Sequence, residues 1–276
     1  MKDNNMSPIF PNEFSSGIGS LEEGKEKLAR TYLFEVTPKG EIIHEEFIKS
    51  IIKSNKRATY EEINEILETE TGATPLKETV ILLKEVAEIL KQKYKGSELY
   101  ELMKENKSDT TDLIVKRVAS EEIVYECMQL TGNRVAEFFA KNNYPCLYRI
   151  HHVDEKLNDK IKTLIDGLVQ AYGKQETKKL YSLMEGIYPR SEYGSIGSHM
   201  GLGLDHYCHC TSGLRRSADI LVEHALEVCY DKDPTPEELI ALEHEIMKKK
   251  RLINQKDDSI NWFVEEAHKS YKKMKK

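Results

Sequence analysis

Strand-forming residues are concentrated in one stretch near the amino end of the chain. Residues 28–36, LARTYLFEV, are rich in aromatic and aliphatic side chains and lead into the turn sequence Thr37-Pro38-Lys39-Gly40. A second alternating segment follows from Glu41 to Ser54, and the two segments together predict an antiparallel hairpin. Because a single hairpin is marginally stable in water, the rest of the chain must supply elements that pack on it.

The rest of the chain predicts helices. Thr59 and Glu62 form a capping box before apolar residues at helical spacing, and further helices are predicted over 78–94, from Ser120, and over 155–171, 176–186 and 216–230. Residues 96–116 predict a loop. The buried face of the helix that begins at Ser120 is predicted to consist of Ile123, Val124, Cys127, Met128, Leu130, Val135 and Phe138.

The last helix has the clearest start signal. Thr235-Pro236-Glu237-Glu238 combines a capping threonine, a proline at the first helical position and a glutamate at the third, and a break is predicted near Asp257 and Asp258. The fold class is therefore predicted to be α+β, with an antiparallel hairpin or small sheet packed by several helices.

Composition limits the class of protein and its partners. The formal net charge of −6 argues against a protein that coats nucleic acid over its whole surface, so a nucleic-acid contact must be local. Five scattered cysteines are typical of reduced thiols. Neither a run of about 18 apolar residues nor an apolar leader is present, which predicts a cytosolic protein without a membrane segment.

Residues 188–216 are dense in glycine, histidine and hydroxyl side chains, a pattern typical of a ligand-contacting loop. The loop leads into a helix at Arg215-Arg216, and guanidinium groups suit phosphate or carboxylate oxygens because they offer parallel donors. Alternatively, Arg215 forms a structural salt bridge with Asp219. A zinc site is disfavoured because neighbouring side chains of an extended loop point to opposite sides; its ligands would be His206, Cys208, His209 and Cys210.

The segment from His199 to Asp219 resembles the signature of the RNB-domain exoribonucleases, the ribonuclease II and ribonuclease R family. That signature reads approximately G-H-F-G-L-A-L and then Y-x-H-F-T-S-P-I-R-R-Y-x-D-L. Further stretches are similar to family motifs in the same order: 8–15 (P-M-L-P-x-x-L-S), 54–60 (S-N-A-R-L-T-Y), 122–138 (I-E-E-x-M-x-x-A-N-x-x-A-A-x-F) and 145–151 (P-A-L-F-R-I-H).

The resemblance covers most of residues 7–265, with gaps, and implies that residues 1–276 form a truncated RNB domain, its carboxyl-terminal part. Within it, an opening segment and the hairpin occupy residues 7–60. Helices and a shortened loop occupy 61–119, and the helical part that carries the HMGLGL…TSGLRRSAD motif occupies 120–276.

The resemblance also implies a channel for the 3′ end of single-stranded RNA. Arg215 matches an arginine that steadies the phosphate near the scissile bond, and Glu126 matches a glutamate that contacts the terminal sugar; both are assigned as catalytic. Without the resemblance, Glu126 would be interpreted as an exposed helix residue. The predicted RNA-binding residues are Arg149, His151, His199, His209 and Arg216.

The family's magnesium-binding aspartates, roughly D-x-D-D, have no counterpart in this sequence. The acidic pairs Asp109 with Asp112 and Asp257 with Asp258 do not stand at matching positions, and the motif's S-P-I-R-R-Y becomes Ser-Gly-Leu-Arg-Arg-Ser over 212–217. We therefore expect no metal on this chain alone, and Mg²⁺ only where a second chain supplies the aspartates and missing strands.

Three functions remain open from the sequence. The chain is an RNA-binding relative that does not cut, one subunit of a split 3′→5′ exoribonuclease, or a scaffold without RNA contact. An incomplete sheet also exposes an edge strand, which predicts poor solubility or dimerisation.

Overall fold

The computed structural model describes residues 9–69, 74–93, 119–151, several residues between 156 and 173, and 191–274, without the side chains of 74 and 257–274. The elements follow in the order β1 (Glu26–Val36), β2 (Ile42–Lys53), α1 (Tyr60–Thr69), α2 (Thr74–Lys93), α3 (Ala119–Asn142), β3 (Tyr148–Ile150), β4 (Glu192–Gly194), α4 (Ser217–Cys229) and α5 (Pro236–Met274). The predicted α+β class is confirmed. No described helix is long and apolar enough to cross a membrane.

The predicted hairpin is present, with β1 and β2 antiparallel and Tyr32 opposite Phe47. Its turn closes through a hydrogen bond of 2.8 Å from the Gly40 amide to the Thr37 carbonyl. Gly40 has a φ of 76°, a left-handed conformation that glycine adopts without the steric cost of a Cβ atom. The turn is anchored to α2, where Lys93 donates to the Gly40 carbonyl.

Polar side chains attach the hairpin to α4 and to Asp231, two residues after the end of that helix. The Arg30 guanidinium donates to both carboxylate oxygens of Asp231, at 2.8 and 2.7 Å. The Arg30 partner holds the pKa of Asp231 below its usual value. Beside this pair, the Tyr32 hydroxyl donates to Glu223 and Phe47 is buried in the core. The hairpin is thereby fixed to the helical part of the chain.

Helix α3 buries a more polar face than the apolar pattern predicts. Ile123, Leu130 and Val135 are buried as expected, but Val124 is 40% exposed, so its predicted burial is wrong. Glu126, read from the sequence alone as exposed, is only 4% exposed. The reason is the helical period: Glu126 lies three residues after Ile123 and four before Leu130, on the same face as both.

Helix α5 begins at the predicted signal and runs further than predicted. The Thr235 amide donates to the Glu238 carboxylate at 2.9 Å, and the Glu238 amide donates to the Thr235 hydroxyl at 3.3 Å. The helix continues to Met274, so the break predicted near Asp257 and Asp258 is wrong. Aspartate costs a helix only a fraction of a kcal/mol, about 0.7 at most, and no glycine or proline follows Pro236.

Two other boundaries are tested only in part. Helix α2 begins at Thr74, four residues before the predicted start, and the capping box of Thr59 and Glu62 is confirmed at α1. The residues described between 156 and 173 are helical, as predicted. The predicted helix over 176–186 and the loop over 96–116 lie outside the described residues.

A second sheet, made of two strands of three residues each, lies in the carboxyl-terminal half of the chain. Strands β3 and β4 are antiparallel, with Arg149 opposite Tyr193. Isolated bridges add the loop after β4 to the other side of β3, pairing Tyr148 with Cys208 and His151 with His199. Strand β3 therefore lies between β4 and the histidine-rich loop, while α3, α4 and α5 supply much of the core around it.

Candidate functional site

Backbone hydrogen bonds bring two motif stretches that are distant in sequence together at β3. The Arg149 amide donates to the Tyr207 carbonyl at 2.8 Å, and the His151 amide donates to the Ser198 carbonyl at 2.9 Å. The chain returns through the Met200 amide, which donates to the His151 carbonyl at 3.1 Å. The side chains of β3 and of residues 199–209 consequently share one region.

A continuous series of edge-on contacts, which we call the ring array, joins the rings of His151, His199, Tyr207, His209 and Tyr193. Ring centroids are 5.5 Å apart for His151 and His199, and 5.6 Å apart for His199 with Tyr207, Tyr207 with His209, and His209 with Tyr193. The Tyr193 hydroxyl lies 2.7 Å from His209 Nδ1. Such T-shaped contacts place the positive edge of one ring near the negative face of the next and stabilise the cluster.

The guanidinium group of Arg149 lies at one end of the array. The guanidinium carbon of Arg149 lies 4.5 Å from the centre of the Tyr193 ring. This cation–π contact orients the guanidinium beside the rings. Of the predicted site residues, Arg149, His151, His199 and His209 are thus brought together by the structure.

Two imidazoles of the array, those of His199 and His209, are neutral at physiological pH. Burial lowers the pKa of His199 to about 4, with His151 and Arg149 adding to the shift. Burial, with Arg216 and Arg149 adding to it, lowers the pKa of His209 to about 3. Neutral imidazoles offer hydrogen bonds and ring surface but no positive charge, so the charge of the site resides in its arginines.

The two arginines of the motif have different environments. Arg216 pairs with Asp219, its Nε 2.8 Å from Oδ2 and its Nη2 donating to Oδ1 at 2.9 Å. Asp219 is fully buried and also accepts the Ser212 amide at 2.7 Å. The structural salt bridge considered for Arg215 is therefore made by Arg216, because the Arg216 side chain turns towards the first turn of α4.

Arg215 is the exposed member of the pair. Its Nη2 donates to the Ser212 hydroxyl at 3.1 Å, and it lies near enough to His209 to lower the pKa of that imidazole. The remaining guanidinium donors face solvent, which suits contact with an anion. Its predicted role at a phosphate stays a prediction, as does an RNA contact for Arg216.

Glu126 lies on α3 and is not one of the rings that form the array. Gln129 donates to its carboxylate at 3.4 Å, and the residue is buried. Asn133, which donates to the His206 carbonyl at 2.9 Å, is seven residues further along the helix. Seven residues rise roughly 10 Å, so α3 connects Glu126 to the loop across about two turns. Its predicted contact with a sugar stays a prediction.

Gly132 allows the loop to approach α3 closely. The Cys208 amide donates to the Gly132 carbonyl at 3.2 Å. A Cβ atom at Gly132 would lie 2.4 Å from the Cys208 carbonyl oxygen and 2.5 Å from the Tyr207 ring. Only glycine permits this contact, which the sequence motifs did not reveal.

Tyr193 and Asn254 are further residues that the sequence analysis missed. Asn254 on α5 accepts the Tyr193 amide at 2.9 Å and donates to the Tyr193 carbonyl at 2.8 Å. This pair of bonds fixes β4 and places the Tyr193 ring against His209. Neither residue stands in a recognised motif, and the local sequence carries no signal for a pairing of residues so far apart.

The candidate zinc ligands have separate partners. His206 Nδ1 lies 3.0 Å from the Glu137 carboxylate, His209 contacts Tyr193, and the buried Cys208 thiol donates to the Gly132 carbonyl at 3.4 Å.

Magnesium does not fit the described site either. Asp219, the carboxylate that accepts the Ser212 amide, is committed to Arg216, and no described group of three His, Cys, Asp or Glu side chains could hold an ion.

The sequence and the fold are similar to known proteins. Residues 3–232 match the RNB domain. Ribonuclease R of Thermotoga maritima is 28% identical over 268 residues, which cover 84% of this chain and 38% of that protein. The chain spans about a third of the length of the curated relatives it matches.

Two solved structures share the fold. RNase R of Mycoplasma genitalium, in complex with ribose-methylated single-stranded RNA, superposes with a TM-score of 0.73 at 16% identity, over 92% of this chain and 45% of that chain. Yeast Ssd1, described as a pseudonuclease, superposes with a TM-score of 0.65 at 20% identity, over 90% of this chain and 35% of that chain.

Proposed function

Because this chain belongs to the RNB-domain family, we propose that it binds the 3′ end of single-stranded RNA and does not hydrolyse it unaided. The observation that carries the proposal is the ring array beside an exposed arginine. Four of the predicted site residues meet there, and Arg215 is near enough to His209 to lower the pKa of its imidazole. RNA in the M. genitalium complex is consistent with the same ligand class.

The chemistry of the array suits an unpaired strand. Bases of single-stranded RNA stack on accessible aromatic and imidazole rings. Tyr193 and His199 are only 5% and 7% exposed, so the half-buried rings of His151, Tyr207 and His209 are the ones that can meet a base. Arg215 and Arg149 supply the positive charge for phosphate oxygens. Glu126 is assigned to the terminal sugar, whose hydroxyl groups can donate to a carboxylate.

Hydrolysis requires groups that the described site does not provide. Cleaving a phosphodiester with Mg²⁺ needs several carboxylate or phosphate oxygens around the ion, and Asp219 is already paired with Arg216. Yeast Ssd1 gives a precedent for a pseudonuclease with this fold. We therefore assign binding to the 276-residue chain and leave cleavage to a source of carboxylates outside it.

Fluorescence anisotropy with a 5′-labelled single-stranded RNA tests this function. We expect Arg215→Ala to weaken binding about tenfold at low salt, because a hydrogen bond between a charged guanidinium and a phosphate contributes about 1.5–3 kcal/mol. Arg57→Ala is the matched control, since Arg57 is exposed and lies beside α1 rather than in the array. Equal losses in both variants, or no binding by the native chain, would refute the proposal and favour a scaffold.

A split exoribonuclease is the second candidate. It is favoured by the exposed Arg215 in a described site whose carboxylate, Asp219, is already paired with Arg216. The test adds a second chain that carries a D-x-D-D cluster and follows Mg²⁺-dependent shortening of the labelled RNA. If the mixture leaves the RNA intact while the 276-residue chain still binds it, the split function fails and the binding function stands.

A further inference from the structure

The hairpin stands apart from the other sheet, and its two outer edges differ. Strands β1 and β2 pair only with each other within the part of the chain that the structure describes. On the edge of β2, Phe47 is occupied: its amide donates to the Tyr230 hydroxyl at 3.3 Å, and its carbonyl accepts Arg30 Nη1 at 3.2 Å. The edge of β2 is thus partly closed by side chains.

Among the residues that the structure describes, none pairs with the outer edge of β1. Since Phe47 uses its amide and carbonyl outside the ladder, Tyr32 and Phe47 form a non-hydrogen-bonded pair, and this pair type recurs at every second residue. The backbone groups of Leu28, Arg30, Tyr32 and Phe34 therefore point outward from β1. Among the described residues they make no hydrogen bond.

This edge carries none of the usual features that prevent strands from pairing. Residues 28–34 contain no proline, and the one irregularity in the ladder lies later, between Glu35 and Val36. Arg30 is engaged with Asp231 and so does not protect the edge with a free charge. Long, regular edges of this kind associate with other strands unless they are covered.

We propose that a second copy of this chain occupies the edge, with the two β1 strands antiparallel and centred on Thr31. In this register Leu28 lies opposite Phe34 of the second copy, and Arg30 lies opposite Tyr32. Residues of these pairs have outward-pointing backbone groups on both strands, so each pair exchanges two hydrogen bonds. The two hairpins form a four-stranded sheet in the order β2-β1-β1-β2.

The side chains of β1 are complementary to themselves in this register. Lys27, which also contacts Glu22 and the Gly17 carbonyl of its own chain, lies opposite Glu35 of the second copy. Ala29 lies opposite Leu33, and both pairs are on the face that points away from α4. On the other face Leu28, which is 81% exposed, gains an aromatic neighbour in Phe34. The register matches opposite charges at Lys27 with Glu35 and apolar groups at Ala29 with Leu33 and at Leu28 with Phe34. Each match occurs twice around the twofold axis, which is what an isologous contact requires.

Analytical ultracentrifugation of the 276-residue chain tests the proposal. We expect a reversible dimer whose dissociation constant rises at least about tenfold in Leu28→Pro, because proline removes an edge donor from each strand. Ile51→Pro is the matched control. Ile51 lies opposite Leu28, is 68% exposed and directs its amide to the edge of β2, so its replacement should leave the dimer intact.

Glu35→Lys provides a second test that leaves the backbone unchanged. The substitution places two lysines opposite each other at both ends of the contact and should weaken the dimer in low salt, with circular dichroism confirming the native fold. We expect a dissociation constant no higher than on the order of 100 µM. A native chain that remains monomeric at about 100 µM therefore overturns the proposal. Equal effects of Leu28→Pro and Ile51→Pro overturn it too, as does an edge that pairs only when a different protein is added.

Discussion

Replacement of Gly132 by alanine separates two opposing physical effects. In the interior of a helix alanine is favoured over glycine by about 1 kcal/mol, so substitution of a solvent-exposed helical glycine should stabilise the protein. At Gly132 the new Cβ atom would lie 2.4 Å from the Cys208 carbonyl oxygen and 2.5 Å from the Tyr207 ring. Both contacts are far inside van der Waals distance, and the first involves backbone that cannot rotate away.

The steric effect should prevail. Relief of the overlap requires the 206–208 segment to move away from α3 by roughly 1 Å, and overpacking of this kind costs about 1–3 kcal/mol. The Cys208 amide bond to Gly132 and the Asn133 bond to His206 both span the gap that would open. We expect a net loss of up to about 2 kcal/mol in the free energy of unfolding after the gain in helix propensity.

Urea unfolding followed by circular dichroism measures the effect. Gly167→Ala is the matched control, because Gly167 is also helical and a Cβ atom there meets nothing within 4 Å. We expect the control to be as stable as the native chain or up to about 1 kcal/mol more stable. If Gly132→Ala stabilises the protein as Gly167→Ala does, the close approach of the loop to α3 is refuted.

Two further predictions concern buried charge. Asp219→Ala leaves Arg216 without its partner and should lower the free energy of unfolding by about 3 kcal/mol, whereas Arg215→Ala, which changes an exposed side chain, should leave it within about 0.5 kcal/mol; urea titration compares them. The lowered pKa of His199, about 4, means that the unfolded chain binds more protons below pH 6.5, so stability should be complete above that pH and fall as the pH drops towards 4. For this residue the loss should reach about 2 kcal/mol at pH 5, and His199→Gln should reduce the dependence measured by unfolding at pH 7.5 and 5.

The sequence predicted elements whose signals are local. The hairpin follows from alternation and from the glycine that closes its turn, while the starts of α1 and α5 follow from capping boxes whose two hydrogen bonds lie within four residues. Predictions that depended on tertiary packing were less accurate. Val124 is apolar yet exposed, because the face of α3 that packs against the protein also carries Glu126.

The candidate site shows the same limit. The motifs predicted that Arg149, His151, His199 and His209 share a region, and the structure brings these side chains together at β3. Tyr193 could not be predicted, because its place depends on two hydrogen bonds with Asn254, sixty-one residues away. The salt bridge to Asp219, considered as an alternative for Arg215, is made by Arg216, since sequence spacing alone does not tell which side chain of an adjacent pair turns towards the helix.

The electrostatics of the array explain how a chain with a net charge of −6 can have a local site for a polyanion. Burial lowers the pKa of His199 and His209, so these two add ring surface and hydrogen bonds without charge that would have to be buried. Arg216 is neutralised by Asp219, and the exposed Arg215 retains its charge. In the proposed function the half-buried rings contact bases while only a few arginines contact phosphates, so binding should be less sensitive to salt than binding by a basic surface.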